Sequence, residues 1–247
     1  MSQLDLAVAA DVSSRHVSFL ETGRSRPSRE MILRLAATLD VPLREQNELL
    51  RAAGLEEVFP EPEADAPFPP GVERAIERMM SQHEPFPLIV FDRRYDITRT
   101  NHGAARLIPR LIAEPEALVP PPNAMLLLFD PRLARPFVED WETVAHTTLA
   151  RLHREVLAKG GDSELTALLN RLLEFPGVPA SWRQLDFSLP SEPTLTVRLR
   201  RGDFRVSFFT TLTVFSAPQN VTLEELRLES WFPLDEATAE VCARLAS

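Results

Sequence analysis

Two short amphipathic segments joined by a tight turn occupy residues 2–23, and they constrain the fold more than any other feature of the chain. Apolar residues recur at helical spacing on one face of each segment. The residues predicted to face inward are Leu6, Ala7 and Ala10 on the first helix and Val17 and Leu20 on the second. Ala7 is small where the helices must cross, and Asp11 in the turn tolerates left-handed backbone angles better than most residues. The pattern predicts a helix-turn-helix.

The second predicted helix presents Ser14, Arg15, Ser18 and Phe19 on its outward face. In a helix-turn-helix this face enters the major groove of DNA, where side chains contact the edges of bases. Residues 13–34 contain five Arg against two Glu, a local charge of +3 that favours contact with phosphates. A plain helical hairpin with no role in DNA binding is the alternative interpretation of this spacing.

Residues 2–43 resemble, without a gap, the Xre/Cro family of phage and bacterial repressors. Residues 21–23 match the E-x-G ending of that family's recognition helix, and residues 24–28 match its R-x-P-S approach to the next helix. Gln3 aligns with a Gln that contacts phosphate, and Ser13 with a residue that caps the recognition helix or contacts the DNA backbone. The resemblance and the outward face together give the candidate DNA-contact residues Gln3, Ser13, Ser14, Arg15, His16, Ser18, Phe19, Thr22 and Arg24.

The resemblance has two departures. Asp11 stands where the family usually has Gly in the turn, and no residues precede Ser2 and Gln3 to form the family's first helix. Either translation starts upstream, or the chain is a variant that retains only its C-terminal domain. We therefore expect weak operator binding and a small core left incomplete. The core residues expected to be partly exposed are Leu6, Val17, Leu20 and Ile32.

Two further helices and a proline-rich segment follow. Ser28 caps a predicted helix, and another runs from Pro42 to Gly54. The inward residues of the first are Ile32, Leu35, Ala36 and Leu39. Residues 55–70 contain five Pro and five acidic residues, which is typical of an extended spacer between folded units. The predicted organisation is an all-α helix-turn-helix domain at 1–54, a linker at 55–70 and a second domain at 71–247.

The elements predicted after the linker resemble the opening of a PAS domain. Residues 87–92 and 95–100 predict a β-hairpin, and Asn101 caps the helix that follows. A helical insert is predicted at about 133–159 and 163–174, strands at 194–200, 204–216 and 223–233, and a last helix after Asp235. The second domain is therefore predicted to be α+β and PAS-like, with an antiparallel sheet and a helical insert.

Four strings in this domain resemble the C-terminal ligand-binding domain of MmyB-like transcription regulators. They are FDPR (129–132), RPFVEDWE (135–142), FFTTLTVFSAPQNVT (208–222) and LEELRLESWFPLDEATA (223–239). The resemblance covers residues 70–245 with the order of segments preserved. It implies a sensor domain, and the family is associated with a buried fatty-acid-like ligand.

Alternating apolar residues in the predicted strands allow such a pocket. The candidate lining residues are Leu88, Val90, Asn101, Leu107, Phe129, Trp141, Leu152, Val206, Phe208, Thr210 and Leu212. The alternative is that these side chains fill the core solidly. A carboxylate head group would need a cationic or amide partner such as Arg93, Arg94 or Asn101.

The sequence contains no catalytic or metal-binding pattern. Glu142, His146 and His153 share a helical face, but two imidazoles two turns apart cannot hold one metal ion well. Cys242 is the only cysteine and no secretory or membrane-spanning segment is evident, so we expect a cytoplasmic protein that does not associate with membranes. Residues 55–247 carry 20 basic and 29 acidic residues, and this net charge of −9 should keep them away from DNA.

The sequence thus predicts a ligand-responsive regulator of transcription. Its partners would be a double-stranded DNA operator, a small apolar ligand and a second copy of the chain. No cofactor is expected beyond a bound fatty acid or similar molecule. A constitutive DNA-binding protein whose second domain only dimerises is one alternative, and an enzyme built on that domain is the other.

Overall fold

The computed structural model describes residues 1–62, 67–158, 162–184, 195–215, 218 and 220–246. Contacts divide the chain into two compact units. The first contains Met1–Ala66 together with Phe215–Glu224, and the second contains Pro67–Val214 together with Glu225–Ser247. The predicted second domain included residues 215–224, so the structure differs there from the predicted organisation.

Four helices build the first unit: α1 (Gln3–Ala9), α2 (Ser14–Glu21), α3 (Arg29–Thr38) and α4 (Leu43–Ala52). Serine side chains cap the first three, because Ser2, Ser13 and Ser28 each accept a hydrogen bond from the backbone N–H three residues further on. Asp11, between α1 and α2, has a φ of 52°, as the predicted left-handed turn requires. The predicted all-α helix-turn-helix unit is confirmed.

The core of the first unit is small and closely packed. Its buried apolar residues are Ala7, Ala10, Val17, Ile32, Ala36, Leu43 and Leu50. The expectation of partial exposure was wrong for Val17 and Ile32, because both are buried, and Leu6 and Leu20 are half-buried. Leu39 was predicted to face inward, but it follows the last turn of α3 and is exposed.

The first part of the predicted linker is not a free spacer, because residues 57–61 bind α4. Asn47 is buried, donates a hydrogen bond to the carbonyl oxygen of Phe59, and accepts hydrogen bonds from the N–H groups of Val58 and Phe59. Ion pairs between arginines of α4 and glutamates of this segment lie beside these bonds: Arg44 with Glu61 and Arg51 with Glu57. Glutamates of this segment therefore pair with both arginines of α4.

The remaining elements are α5 (Pro70–Gln82), β1 (Leu88–Phe91), β2 (Ile97–Thr100), α6 (His102–Leu107), α7 (Ala124–Phe129), β3 (Val138–Glu139), α8 (Trp141–Ala158), α9 (Ser163–Leu173), β4 (Leu195–Arg201), β5 (Phe204–Thr213), α10 (Val221–Glu225), β6 (Arg227–Pro233) and α11 (Glu236–Ala246). The strands form one antiparallel sheet in the order β2-β1-β6-β5-β4-β3. Helices surround this sheet, so the predicted α+β PAS-like architecture is confirmed.

Two element boundaries differ from the prediction. The long helix α8 begins at Trp141 rather than near residue 133, because Pro136 lies in a 3-10 turn and Asp140 takes a φ of 53°. The strand predicted at 223–233 is the short helix α10 followed by β6. The predicted starts and ends of β4 and β5 at residues 194 and 216 lie outside the described residues.

Residues 220–224, which precede β6, bond to the chain of the first unit. Val221 donates its backbone N–H to the carbonyl oxygen of Pro60, and the hydroxyl of Thr222 donates to that of Pro62. The Glu224 carboxylate accepts a hydrogen bond of 2.8 Å from the backbone N–H of Leu43, at the start of α4. Residues 220–224 are therefore a structural part of the helical unit.

Candidate DNA-contact surface and ligand cavity

The nine candidate DNA-contact residues all have accessible surface on or beside α2. Six are exposed and three are half-buried. The exposed residues are Gln3, Ser13, Ser14, Arg15, Thr22 and Arg24, and the half-buried ones are His16, Ser18 and Phe19. Their shared side is the outward face of α2, because Val17 on the opposite side is buried in the core.

Two arginines lie against the Phe19 ring. The Cζ atom of Arg15 is 5.1 Å from the ring centroid, and that of Arg24 is 6.0 Å from it. Both distances allow a cation–π attraction, which limits the freedom of the two guanidinium groups. The ring therefore holds two of the candidate DNA-contact side chains beside the outward face of α2.

Three of the candidate residues already make bonds within the unit. The Gln3 amide donates to the Glu21 carboxylate, so it ties the start of α1 to the end of α2. Ser13 caps α2 through its hydroxyl, and the Thr22 hydroxyl donates to the carbonyl oxygen of Ser18 at 2.7 Å. These side chains thus hold the geometry of the two helices in addition to any contact with DNA.

The positive charge of residues 13–34 is reduced by ion pairs. Arg34 pairs with Glu30 at 2.8 Å, and Arg29 lies 3.8 Å from Glu56. Within the part of the chain that the structure describes, Arg15, Arg24 and Arg26 have no carboxylate partner. The uncompensated cations therefore lie at and just after α2.

A cavity of about 110 Å³, measured as the space open to the centre of a water molecule, lies between the sheet and the helices of the second unit. The walls come from β1 (Ile89, Phe91), α8 (Val144, Thr148, Arg151), β4 (Leu195, Val197, Leu199) and β6 (Glu229, Trp231), with apolar residues from the segments 95–97, 108–111, 124–128 and 134–138. Such a size is on the order of cavities known to hold a small apolar molecule. The walls are apolar apart from a few side chains on α8 and β6.

None of the eleven predicted pocket residues lines this cavity. On β1, Ile89 and Phe91 line it, so Leu88 and Val90 lie on the opposite face of the sheet. The side-chain amide of Asn101 makes its hydrogen bonds outside the cavity. Its Oδ1 accepts from the N–H groups of Leu88 and Ala104, its Nδ2 donates to the carbonyl oxygen of Phe86, and its role is the cap of α6.

The predicted residues on β5 lie on the face of the sheet that borders the cavity, but none of them lines it. In the antiparallel register Phe208 pairs with Val197 and Leu212 with Glu229, and these partners line the cavity. Val206, Phe208 and Thr210 are themselves buried. The ring of Trp231 is 5.4 Å from that of Phe208 and packs against it.

The predicted residues on helices belong to the solid core. Phe129 and Leu152 lie in one buried cluster, and Leu107 in another. Trp141 packs against both clusters, its Nε1 donates to the carbonyl oxygen of Leu128, and the Arg135 guanidinium lies 3.6 Å from its ring. The alternative of a solidly filled core therefore describes these four residues.

The cavity wall carries two ionisable side chains that the sequence did not predict there, Arg151 and Glu229. Burial raises the pKa of the Glu229 carboxyl, and the positive charge of Arg151 partly opposes this shift. Neither residue belongs to a motif. Side chains alternate between the two faces of a strand, so Glu229 lies on the face of β6 opposite to the buried Leu228 and Ser230. This alternation is the signal in the sequence that could have indicated its position.

Tyr95 lines the cavity but its hydroxyl is occupied. It donates a 2.7 Å hydrogen bond to the Glu155 carboxylate, which also pairs with Arg227. Burial and the negative charge of Glu155 raise the pKa of this phenol. The Tyr95 hydroxyl therefore stays protonated and bound to protein rather than open to a ligand.

The predicted head-group cations do not reach the cavity. Arg93 forms ion pairs with Asp162, Glu164 and Glu225, and Arg94 lies 3.3 Å from Glu164. They were predicted as cationic partners for a carboxylate head group, but Asp162 and Glu164 at the start of α9 already pair with them. The cation on the cavity wall is Arg151.

The comparisons with known proteins agree with this arrangement. Residues 72–245 match the family model described as the MmyB-like transcription regulator ligand binding domain. The chain belongs to the MmyB-like transcription regulators. Residues 1–46 match a helix-turn-helix family model, which covers α1 to α3 and the start of α4. Both resemblances noted in the sequence are thereby confirmed.

Other comparisons add little. A solved structure described as an RNA-binding light-oxygen-voltage receptor aligns with 99% of this chain and 62% of its own length, at 13% identity and a TM-score of 0.32. A likeness at that score carries no argument about this regulator. A search of curated proteins found no match.

The MmyB-like regulator therefore combines a helix-turn-helix with a ligand-binding domain, and its function is that of a ligand-regulated DNA-binding protein. Among the described residues no cluster of metal ligands is present and no helix is long and apolar enough to span a membrane.

The two histidines of α8 that share a predicted helical face both contact Trp182. His146 stacks on the Trp182 ring at 4.7 Å, and His153 bonds to the Trp182 carbonyl. Burial raises the pKa of the Cys242 thiol to about 11.

Proposed function

We propose that this regulator binds an operator through the outward face of α2 and that a small apolar, fatty-acid-like molecule in the cavity changes this binding. The observation that supports ligand binding most is the cavity itself, which lies in the family's ligand-binding domain. The ligand would act as a switch if the occupied and empty forms of the protein differ in their affinity for DNA.

The regulator would bind DNA as a homodimer on a pseudo-palindromic site. Helix-turn-helix proteins commonly place two recognition helices in successive major grooves, one helical turn apart. A single small unit with three uncompensated arginines would make few phosphate contacts and bind weakly on its own.

Ligand binding is tested on the purified chain with saturated fatty acids and their methyl esters of increasing length. We expect the melting temperature to rise with ligand concentration, because ligand binds only the folded state. Val144→Phe fills the cavity wall on α8 and should abolish the shift. Leu157→Phe, an exposed site on the same helix, should retain it.

A shift of the same size in Val144→Phe would place binding outside the cavity. If no fatty acid or ester of any length shifts the melting temperature of the wild type, ligand binding fails and dimerisation is the remaining function of the second domain. Native mass spectrometry of the same samples reports the oligomeric state and so separates these outcomes.

DNA recognition is tested by selecting a preferred site from random duplexes and measuring fluorescence anisotropy. Arg15→Ala should weaken the selected site by about 1–3 kcal/mol and relax base preference at one position. Gln3→Ala should weaken all sequences alike. Arg51→Ala, an exposed arginine on α4, is the charge-matched control. Equal weakening of selected and random DNA by Arg15→Ala would rule out base reading by this residue.

A further inference from the structure

Two buried polar atoms on α8 have no hydrogen-bond partner among the described residues, and both belong to side chains that line the cavity. They are Oγ1 of Thr148 and Nε of Arg151. Buried polar atoms are almost always bonded in native proteins, so this pair requires an explanation. The polar group of a ligand is one such explanation, and this interpretation rests on the proposed ligand-binding function.

The hydroxyl of Thr148 differs from that of its neighbour on the same helix. A threonine inside a helix commonly donates to the carbonyl oxygen four residues earlier, and Thr147 does so to Thr143 at 2.9 Å. Thr148 is only 3% exposed, yet its hydroxyl makes no such bond within the described chain. The hydroxyl is therefore available to a group inside the cavity.

The two free atoms call for a hydrogen-bond acceptor. Thr148 and Arg151 are three residues apart on α8 and therefore share a helical face. The Nε–H of Arg151 can only donate, and the Thr148 hydroxyl can donate as well as accept. A ligand group that bonds to both must accept hydrogen bonds, as the oxygens of a carboxylate, an ester or an alcohol do.

The charge of the wall favours the carboxylate among these acceptors. None of the ion pairs between described residues includes Arg151. The Glu229 carboxyl bonds to the side chains of Thr210 and Trp231, and burial raises its pKa, which favours the neutral form. A carboxylate ligand would supply the negative charge that Arg151 lacks and would accept charge-assisted hydrogen bonds.

The volume of the cavity limits the apolar part of the ligand. An apolar cavity of about 150 Å³ is known to admit benzene, so a cavity of about 110 Å³ holds no more than about six carbon atoms. Each buried methylene group strengthens binding, whereas a methylene group that stays in water adds little. A longer chain would therefore gain no further affinity from this cavity.

We propose that the cavity binds a short-chain carboxylate, with an apolar body of no more than about six carbon atoms, whose oxygens accept hydrogen bonds from Thr148 and Arg151. Helix α8, rather than the sheet, would then recognise the polar end of the ligand. The walls formed by the sheet and the other helices would set the length of the chain.

Chain length is tested by measuring dissociation constants of butanoate, hexanoate, octanoate and dodecanoate for the full chain at pH 7. Affinity should rise by about fourfold per methylene group up to hexanoate, and by less than about twofold in total from hexanoate to dodecanoate. Leu127→Ala enlarges the cavity by about three carbon atoms and should make octanoate bind more tightly than hexanoate.

Two substitutions on α8 test the head group, with hexan-1-ol as the uncharged probe. Arg151→Met should weaken hexanoate by about tenfold but hexan-1-ol by less than about twofold, and Thr148→Val should weaken hexanoate by about fivefold. Arg154→Met, half-buried on the same helix, is the charge-matched control and should change neither probe. Both test variants remove a buried atom that has no partner, so neither should lower the melting temperature of the ligand-free chain.

The outcomes separate this inference from the proposed function. Affinity that keeps rising to dodecanoate, or equal weakening of hexanoate and hexan-1-ol by Arg151→Met, would overturn the short-carboxylate site while ligand binding in the cavity stands. If hexanoate does not bind but a longer acid or ester raises the melting temperature, only this inference fails. If no acid, ester or alcohol binds the wild-type chain, both fail.

Discussion

Glu229 places a carboxyl group in an apolar wall, and the cost of that burial can be measured without any ligand. Burial is the largest influence on the carboxyl and raises its pKa above the ordinary glutamate value of 4.5. As pH rises from 4.5 through the raised value, the unfolded chain releases its proton first. Folding stability must therefore fall across that window.

We predict that Glu229→Gln removes this loss. The melting temperature of the variant should exceed that of the wild type at pH 8, and the difference should shrink towards pH 5. A penalty of 1 kcal/mol corresponds to about 2–4 °C for a chain of this size. Glu142→Gln corrects for the change in net charge. A difference that is constant with pH would mean that burial does not control this carboxyl.

At the scale of elements, sequence and structure agree where a local rule acts. Ser13, Ser28 and Asn101 begin helices as their side chains predict, because capping requires only neighbouring backbone groups. The face of β1 could not be predicted, since all four of its residues are buried and no polar alternation marks a side. Arg151 and Glu229 line the same cavity only because α8 packs near the sheet, and such packing leaves no signal in sequence spacing.

The start of α6 shows how closely two elements can approach. Gly103 lies in its first turn, where an added Cβ atom would be 2.4 Å from the carbonyl oxygen of Pro85 and 2.9 Å from the backbone of Phe86. The backbone N–H of Gly103 also donates to the Glu84 carboxylate at 3.0 Å. The segment between α5 and β1 therefore lies directly against this helix.

Gly103→Ala should destabilise the second unit by about 1–3 kcal/mol or more, because backbone atoms cannot yield as a flexible side chain can. Gly71→Ala in α5 has open space around the new methyl group and should instead stabilise by about 0.5–1 kcal/mol. Urea denaturation compares the two. Equal effects on unfolding would contradict the close approach at α6.

For the molecule as a whole, the composition of residues 55–70 predicted a spacer, but composition says nothing of specific partners. The side-chain amide of Asn47 on α4 makes hydrogen bonds to the backbone of residues 58 and 59. These backbone groups would bond to water if the segment were free. Proline-rich and acidic character is equally compatible with a free chain and with one whose glutamates pair with arginines of a helix. The organisation into two units was predictable, and the position where the first unit ends was not.

Asn47→Ala should release the segment while leaving the second unit intact. We expect amide hydrogen exchange at Val58 and Phe59 to accelerate by about tenfold, because both N–H groups lose their acceptor. Glu48→Ala, exposed on the same helix, should leave these amides unchanged. Unaltered exchange in Asn47→Ala would mean that other contacts hold the segment.

Each of the two units is built from two separate stretches of the chain, because residues 215–224 belong to the helical unit. The chain passes between them at three places, after residues 66, 214 and 224, so no single cut separates them. A fragment that stops at the linker would lack α10 and the Glu224 carboxylate at the start of α4. Recombination that exchanges the head for another DNA-binding module would break the same bonds. Neither the helical unit nor the ligand-binding domain can therefore be exchanged as one continuous stretch of sequence without loss of these bonds.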